Sequence, residues 1–498
     1  MESGVRYLMQ SRISKLFEID VRSLALFRIA LGILILLDLG TRALDLRGHY
    51  TDGGVWPRAL AAHELALERH WYFSLHLLGG STVFAAGLFA VAAMVAVALI
   101  IGYRTRLATV LSWILLISLH MRMERVVNSG DMLFRMLLFW GMFLPLGACR
   151  SVDARQGKAG QPQAVFSAAT VALLLQVCVV YWFSVAYKWE PGWTFRGDAL
   201  HTILGREAVT TRFGSALLAF PELLRVLTFA TLGLEMIGPV LAFVPIANGR
   251  LRTAVVFVFW VFHLGVLGTT MKVGLFPLIS AVGWVAFLPS WFWERVLRPA
   301  PVNAGVPLRT HWAVNGAVGT VFLLTLFWNL RELNPKRFGA LLPRAADPIM
   351  YLLNLDQKYA MFSGQHTFEV WLLALGRLHD GTEVNVLTGG ESKGEQRPKR
   401  LAEQFRTFRW SLYPEQANNK SRPARVKVYA AYLKREWNRK HPLERAVDVL
   451  EIYCMYEAIN GSRSAPEAEL IYSDLESTSA KGTGASVGWG MSVKQVAQ

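Results

Sequence analysis

The chain has 498 residues; 53% are Ala, Val, Ile, Leu, Met, Phe, Trp, Tyr or Cys, only 18% are charged, and the mean hydropathy is +0.32. A soluble domain carries about a quarter charged residues, so a secreted enzyme, a disordered chain and a repeat solenoid are poor fits. The formal net charge of +16 reads, in a membrane protein, as basic loops against cytoplasm and anionic lipid and not as nucleic-acid binding.

In chain order, residues 1–20 are expected to be a short cytoplasmic N-terminus. The run Val21 to Gly40 is too long and too charged for the apolar core of a signal peptide. About nine runs long enough to cross the hydrocarbon follow from that point. They are Val21 to Gly40, Ser81 to Ile101, Leu107 to Met121, Met132 to Ala148, Ala164 to Tyr187, Leu223 to Ile246, Thr253 to Met271, Gly274 to Trp293 and His311 to Leu330. Lys and Arg in the short loops lean towards the side that carries Arg104, Arg106, Arg150, Arg155 and Arg250, which makes that side and the N-terminus cytoplasmic. An odd number of crossings then places the chain after Leu330 outside.

That outer part reads as soluble. Thr367 to Leu387 alternates apolar positions around Asp380-Gly381, a hairpin pattern. Val426, Tyr429, Ala430, Leu433 and Trp437 recur at helical spacing, so one amphipathic helix is expected against that sheet. From about Gly461 the composition turns to Ser, Gly and Ala, too little apolar surface to fold alone. The expected fold is an all-α polytopic membrane bundle over 21–330 with a small α+β extramembrane domain over 331–460 and a flexible tail over 461–498.

Ionisable groups within apolar spans are costly and are therefore paired or functional. Arg28, Asp38, Asn128, Asp131, Arg135 and Glu235 are read first as intramembrane polar support that fixes helix register. Lys188 ends an apolar helix inside YWFSVAYKWEPGW, Tyr181 to Trp193. It either snorkels to the interface or folds under Tyr181, Trp182, Trp189 and Trp193, where a lysine withdrawn from water can serve as a base; local sequence favours snorkelling. The cysteines Cys149, Cys178 and Cys454 are too scattered for a disulfide framework or zinc cluster. His63, His70 and His76 lack acidic partners at ligand spacing, and no HExxH, Walker A or strand-linked GxGxxG occurs. No metal site is expected.

Several stretches taken in order carry a resemblance: FRIALGILILLDL, HYTDGGVWP, GYRTRLATVLSWILLISLHMR, NSGDMLFRMLLFWGMFLPLG, YKWEPGW, FHLGVLGTTMKVGLFP and LDQKYAMF. Over roughly Phe17 to Phe362 the chain resembles the HTTM (horizontally transferred transmembrane) family, which includes the vitamin K-dependent gamma-glutamyl carboxylases. The resemblance implies that Lys188 is the base that deprotonates reduced vitamin K or another quinol, that His263 holds quinone or substrate, and that Glu235 is structural. It further implies a secreted or membrane peptide or protein as acceptor. Two departures stand out: Tyr187-Lys188 where the carboxylases have two lysines, and Asn128-Ser129 where they have Asn-His. The expected function is a quinol-dependent, carboxylase-like membrane enzyme, the alternative a noncatalytic membrane protein assisting maturation or export of a partner. Lys188 and His263 are expected to line one cavity open towards the outer leaflet, walled by Tyr181, Trp182, Trp189 and Trp193, with Lys272 near the mouth.

Overall fold

A computed structural model describes residues 14–69, 71–156, 163–297, 311–364, 368–390, 397–398, 400–459 and 466–475. Most of the expected cytoplasmic N-terminus, and the tail from 476 on, lie outside the described residues.

Among these residues six helices are long and apolar enough to cross a membrane: α1 (Val21–Ala43), α3 (Thr82–Ile101), α6 (Ala168–Tyr187), α9 (Pro221–Leu241), α10 (Asn248–Thr270) and α13 (Trp312–Leu333). The pair α11 (Phe276–Val285) and α12 (Ser290–Val296), bent by 93°, makes seven if read as one broken span. Proline disfavours helix at the residue before it, and Pro289 lies in this break.

The other two expected spans fold as α4 (Thr105–Arg122) and α5 (Ser129–Gly141) but do not meet that test. At about 1.5 Å per residue the 13 residues of α5 rise roughly 20 Å, short of a roughly 30 Å hydrocarbon core. It is instead buried nearly all round, through Phe134, Met136, Leu137, Leu138 and Trp140, and packs on α4, α6 and α11. A helix apolar on every face belongs inside protein. Around this centre the spans divide: 78% of the most apolar stretch of α6 is buried, against 28% for α3 and α9, so α6 is a core span and the other two present lipid-facing surface.

Helix ends are closed locally. Asp20 accepts from the Arg22 amide at 2.8 Å, and Asn128 with Asp131 makes a capping box at α5. Gly102 ends α3 at φ 73°, where a β-carbon would meet Ser151 at 2.3 Å and Arg28 at 2.7 Å. Arg28 approaches so closely because its guanidinium donates to the Leu99 carbonyl at 2.6 Å, left over at the helix end, and to the Arg150 carbonyl of a neighbouring loop at 2.7 Å.

The C-terminal domain is a four-stranded antiparallel sheet, β1 (Phe368–Leu378), β2 (Glu383–Asn385), β3 (Val447–Ala458) and β4 (Glu467–Ser473), in the order β2-β1-β3-β4. The β1–β2 turn runs through Asp380 and Gly381, the glycine at φ 83°. The amphipathic helix α15 (Pro423–Lys440) buries Val426, Tyr429, Ala430, Leu433 and Trp437. Two boundaries need correction. Part of the expected 461–498 tail is strand β4, which exists by pairing with β3 and so needs no core of its own. Residues 354–362, expected in the soluble domain, run back into the bundle. Asp356, Gln357 and Tyr359 are buried there, and Gln357 accepts from Gln176 of α6 at 2.8 Å.

The domain docks at the Ala43 end of α1 and the Tyr187 end of α6. Arg409, on the short helix α14 (Phe408–Ser411), reaches Asp38 at 2.8 Å and Asp131 at 3.2 Å. Glu369 accepts from the Glu207 and Ala208 amides at 3.1 and 2.9 Å.

Candidate active site

Lys188 caps α6, its amide donating to the Ser184 and Val185 carbonyls at 3.0 Å. Pro191-Gly192 then turns the chain into a π-wound segment, Gly192–Arg196, which folds Trp193 back beneath the lysine. The ammonium does not snorkel. Lys188 is 1% exposed, its Nζ donates to both oxygens of Glu235 at 2.6 and 2.8 Å, and it lies 4.8 Å from the Trp193 ring centroid. The Trp193 indole N–H is held by the Phe362 carbonyl at 3.0 Å. Snorkelling fails because Glu235, on the adjacent span α9, supplies a counter-charge inside the protein.

His263 stands on a π-wound stretch of α10, Val261–Leu267, a helix irregularity frequent at functional sites. The Tyr181 hydroxyl accepts from the Trp284 indole N–H at 2.8 Å and lies 2.6 Å from His263 Nε2. Having taken that N–H, the tyrosine has its own proton to place, and His263 Nε2 is the acceptor within reach. In a neutral imidazole this puts the ring proton on Nδ1, which has no partner among the described residues although His263 is 1% exposed. Ser184 Oγ is likewise buried without a partner.

Lys188, Glu235, His263, Tyr181, Ser184 and Trp193 line one cavity. Its other walls are almost wholly apolar, among them Leu224, Phe262, Phe276 and Phe362. An apolar cavity with a few convergent polar groups is the usual form of a small-molecule site.

Two residues expected in the wall are elsewhere. Trp182 packs half-buried against the main core, and Trp189 is 68% exposed. Positions 181, 184 and 188 share a helix face, whereas 182 is turned about 100° from it and 189 lies beyond the helix end. Lys272 donates to the Ala402 carbonyl at 3.4 Å and is not part of the cavity wall. Glu235 joins the site as the partner of Lys188, and Ser184, Trp284 and Phe362 join it without having been singled out. Only the stretch LDQKYAMF had marked the neighbourhood of Phe362.

Asn128, Asp131 and Arg135 belong to polar junctions away from the cavity. Arg42 bonds Asp38 at 2.7 Å and Asp131 at 2.9 Å, and Arg409 completes a four-charge ring. Arg135 bonds the Asp356 carbonyl and lies 3.3 Å from its carboxylate. Asp38, His120 and Asp131 stand close enough to share an ion, but the two guanidiniums already balance both carboxylates. Of the three histidines set aside earlier, His70 lies outside the described residues, while His76 Nδ1 pairs with Ser118 Oγ at 2.7 Å.

Residues 17–291, more than half of the chain, match the HTTM domain. The chain belongs to the HTTM family. No curated protein and no solved structure matches it. Membership together with the six apolar helices makes this HTTM protein an integral membrane protein with a lipid bilayer around it, and every wall residue of the cavity from Val180 to Phe276 lies within the matched region.

Proposed function

We propose that this HTTM protein is a quinol-dependent enzyme of the carboxylase type, with Lys188 as proton acceptor. The observation that carries the reading is a buried lysine, bonded to a buried glutamate, in the wall of an otherwise apolar cavity. For Lys188 to accept a proton its own must first pass to Glu235, 2.6 Å away; a proton then taken from a bound hydroxyl would restore the ammonium, with the resulting oxyanion as its counter-charge. Trp193, Phe262 and Phe276 would flank a flat ring, and the free Nδ1–H of His263 would donate to a ring oxygen. Such a group fits the residues present: the walls are apolar and one buried donor lacks an acceptor. A reduced quinone would supply, on reaction with oxygen, a base stronger than any side chain, and dry walls would keep that base from water. The acceptor would be a secreted or membrane peptide or protein.

Ser129, at the head of α5 and 3.5 Å from the Lys358 carbonyl, stands where the carboxylases carry histidine. This favours a second reading, a noncatalytic membrane protein assisting maturation or export of a partner. Epoxidation of reduced vitamin K by the purified protein decides between them. Turnover lost in Lys188→Arg supports the first reading, because guanidinium does not release its proton; no turnover in the unaltered protein overturns it.

For the topology we propose nine crossings, with α5 enclosed by protein and α4 and α11 mostly buried. Contacts at both ends of α4 support this. Thr105 bonds Asp153, beyond the far end of α3, at 2.7 Å, while Arg122 donates to the Trp56 carbonyl, beyond the other end of α1, at 2.6 Å. An odd count agrees with docking of the C-terminal domain at the end of α1 remote from Asp20. With the N-terminus cytoplasmic, that domain and Lys188 face outward.

A further inference from the structure

The chain between the end of α6 and the start of α9, residues 188–220, joins two span ends on one side of the bundle. It contains the helices α7 (Ala199–Leu204) and α8 (Arg212–Leu217). Inward, Trp193, Ile203 and Leu204 pack with Leu224 and Met271 in a small core that closes one side of the Lys188 cavity. Outward, the same segment presents large rings: Trp189, Phe195, Phe213 and Phe220 are 68, 77, 58 and 58% exposed.

Four such rings in one short stretch are out of place on a water-facing surface, where contiguous apolar patches mark an interaction site. Their neighbours say with what. Phe220 immediately precedes α9, whose exposed stripe Leu223, Val226 and Phe229 continues into the lipid-facing surface of that span. Trp189 immediately follows the last turn of α6. Both ends of the segment are therefore held where spans leave the hydrocarbon, the level at which aromatic rings collect. The exposed Arg225 stands among the rings and suits phosphate headgroups, as does Arg196, half exposed and paired with Asp198 at 2.8 Å at the surface.

We propose that residues 189–220 are an interfacial segment seated in the boundary between headgroups and acyl chains, with the four rings immersed. The segment is then a membrane-anchored lid: its outer face lies in lipid and its inner face closes the cavity. Access to Lys188 and His263 runs sideways from the bilayer, past Leu217 and Val266, which both line the cavity while Val266 is 44% exposed on the lipid side. The seating is independent of the chemistry proposed above, and only the meaning of the sideways access rests on it.

The test uses the full chain in vesicles of phosphatidylcholine and phosphatidylglycerol, with Phe195→Cys and Phe213→Cys each carrying a fluorophore. Thr388→Cys, on the exposed β2 side of the C-terminal domain, is the water-facing control. The unsubstituted chain, whose cysteines are buried or half-buried, sets the background. Seating predicts that nitroxide-labelled lipid quenches both segment labels strongly and aqueous iodide hardly at all, with the order reversed at Thr388. Iodide quenching at both segment positions equal to that at Thr388, in samples with unchanged melting, overturns the proposal. Neither result depends on turnover, so loss of the enzymatic reading leaves it standing.

Discussion

Lys188 and Glu235 form a bidentate pair, 2.6 and 2.8 Å long, between side chains 1 and 8% exposed. Removing one partner of a buried pair leaves an uncompensated charge and costs on the order of 3–5 kcal/mol, whereas replacing both by apolar side chains of similar volume is often neutral. Lys188→Met and Glu235→Leu should each destabilise by about that amount, and the double variant should return to within about 1 kcal/mol of the starting protein. Equilibrium unfolding in mixed detergent micelles, followed by tryptophan emission, measures all four corners of the cycle. All three variants should lack epoxidation, so the restored stability of the double variant separates the pair's structural role from its chemical one. Single losses below about 1 kcal/mol that simply add would show a solvated pair and remove the basis for a buried base.

The docking arginine offers a second test. Arg409→Met leaves Asp38 and Asp131 to share Arg42, and should loosen the C-terminal domain by on the order of 3 kcal/mol, seen as faster amide exchange across α14 and α15; adding Asp38→Asn should recover part of the loss. Acid sensitivity has a defined source at His49, which packs tilted against the Trp410 ring with centroids 4.2 Å apart and is pushed down to about 3 by burial and then by Arg409, Arg42 and Arg122. Because the folded value lies below the unfolded value near 6.5, this contribution is fully present above pH 6.5 and is lost as pH falls towards 3. The loss amounts to about 2 kcal/mol by pH 5, so His49→Phe should flatten the stability difference between pH 7 and pH 5 by that much, and an unchanged difference would clear His49. In intact cells, an impermeant maleimide should label Thr388→Cys; protection until the membrane is opened would reverse the orientation.

Much of the fold was legible because its signals are local. Apolar runs of about 20 residues marked the long spans, the spacing of Val426, Tyr429, Leu433 and Trp437 marked α15, and Asp380-Gly381 marked the β1–β2 turn. Composition misled where pairing replaces packing: β4 carries too few apolar residues to fold alone yet is held by β3. It also could not tell a lipid-facing span from an enclosed one, since α5 is as apolar as a membrane helix while its surroundings are protein. At the site, Lys188 and His263 stood out as ionisable residues in apolar surroundings, but local sequence sent the lysine to the interface.

The sequence by itself determined that the chain lives in a bilayer, which stretches are helical, and which side chains would be expensive to leave unpaired. Tertiary structure decided who pairs with whom. Glu235 lies 47 positions from Lys188 and Arg409 lies 371 from Asp38, separations across which no periodicity carries information. A charge withdrawn from water is tolerated only beside its counter-charge, and that counter-charge is set by which helices the bundle brings side by side. The same packing turned Trp193 under Lys188 and Trp189, four residues earlier, out towards lipid.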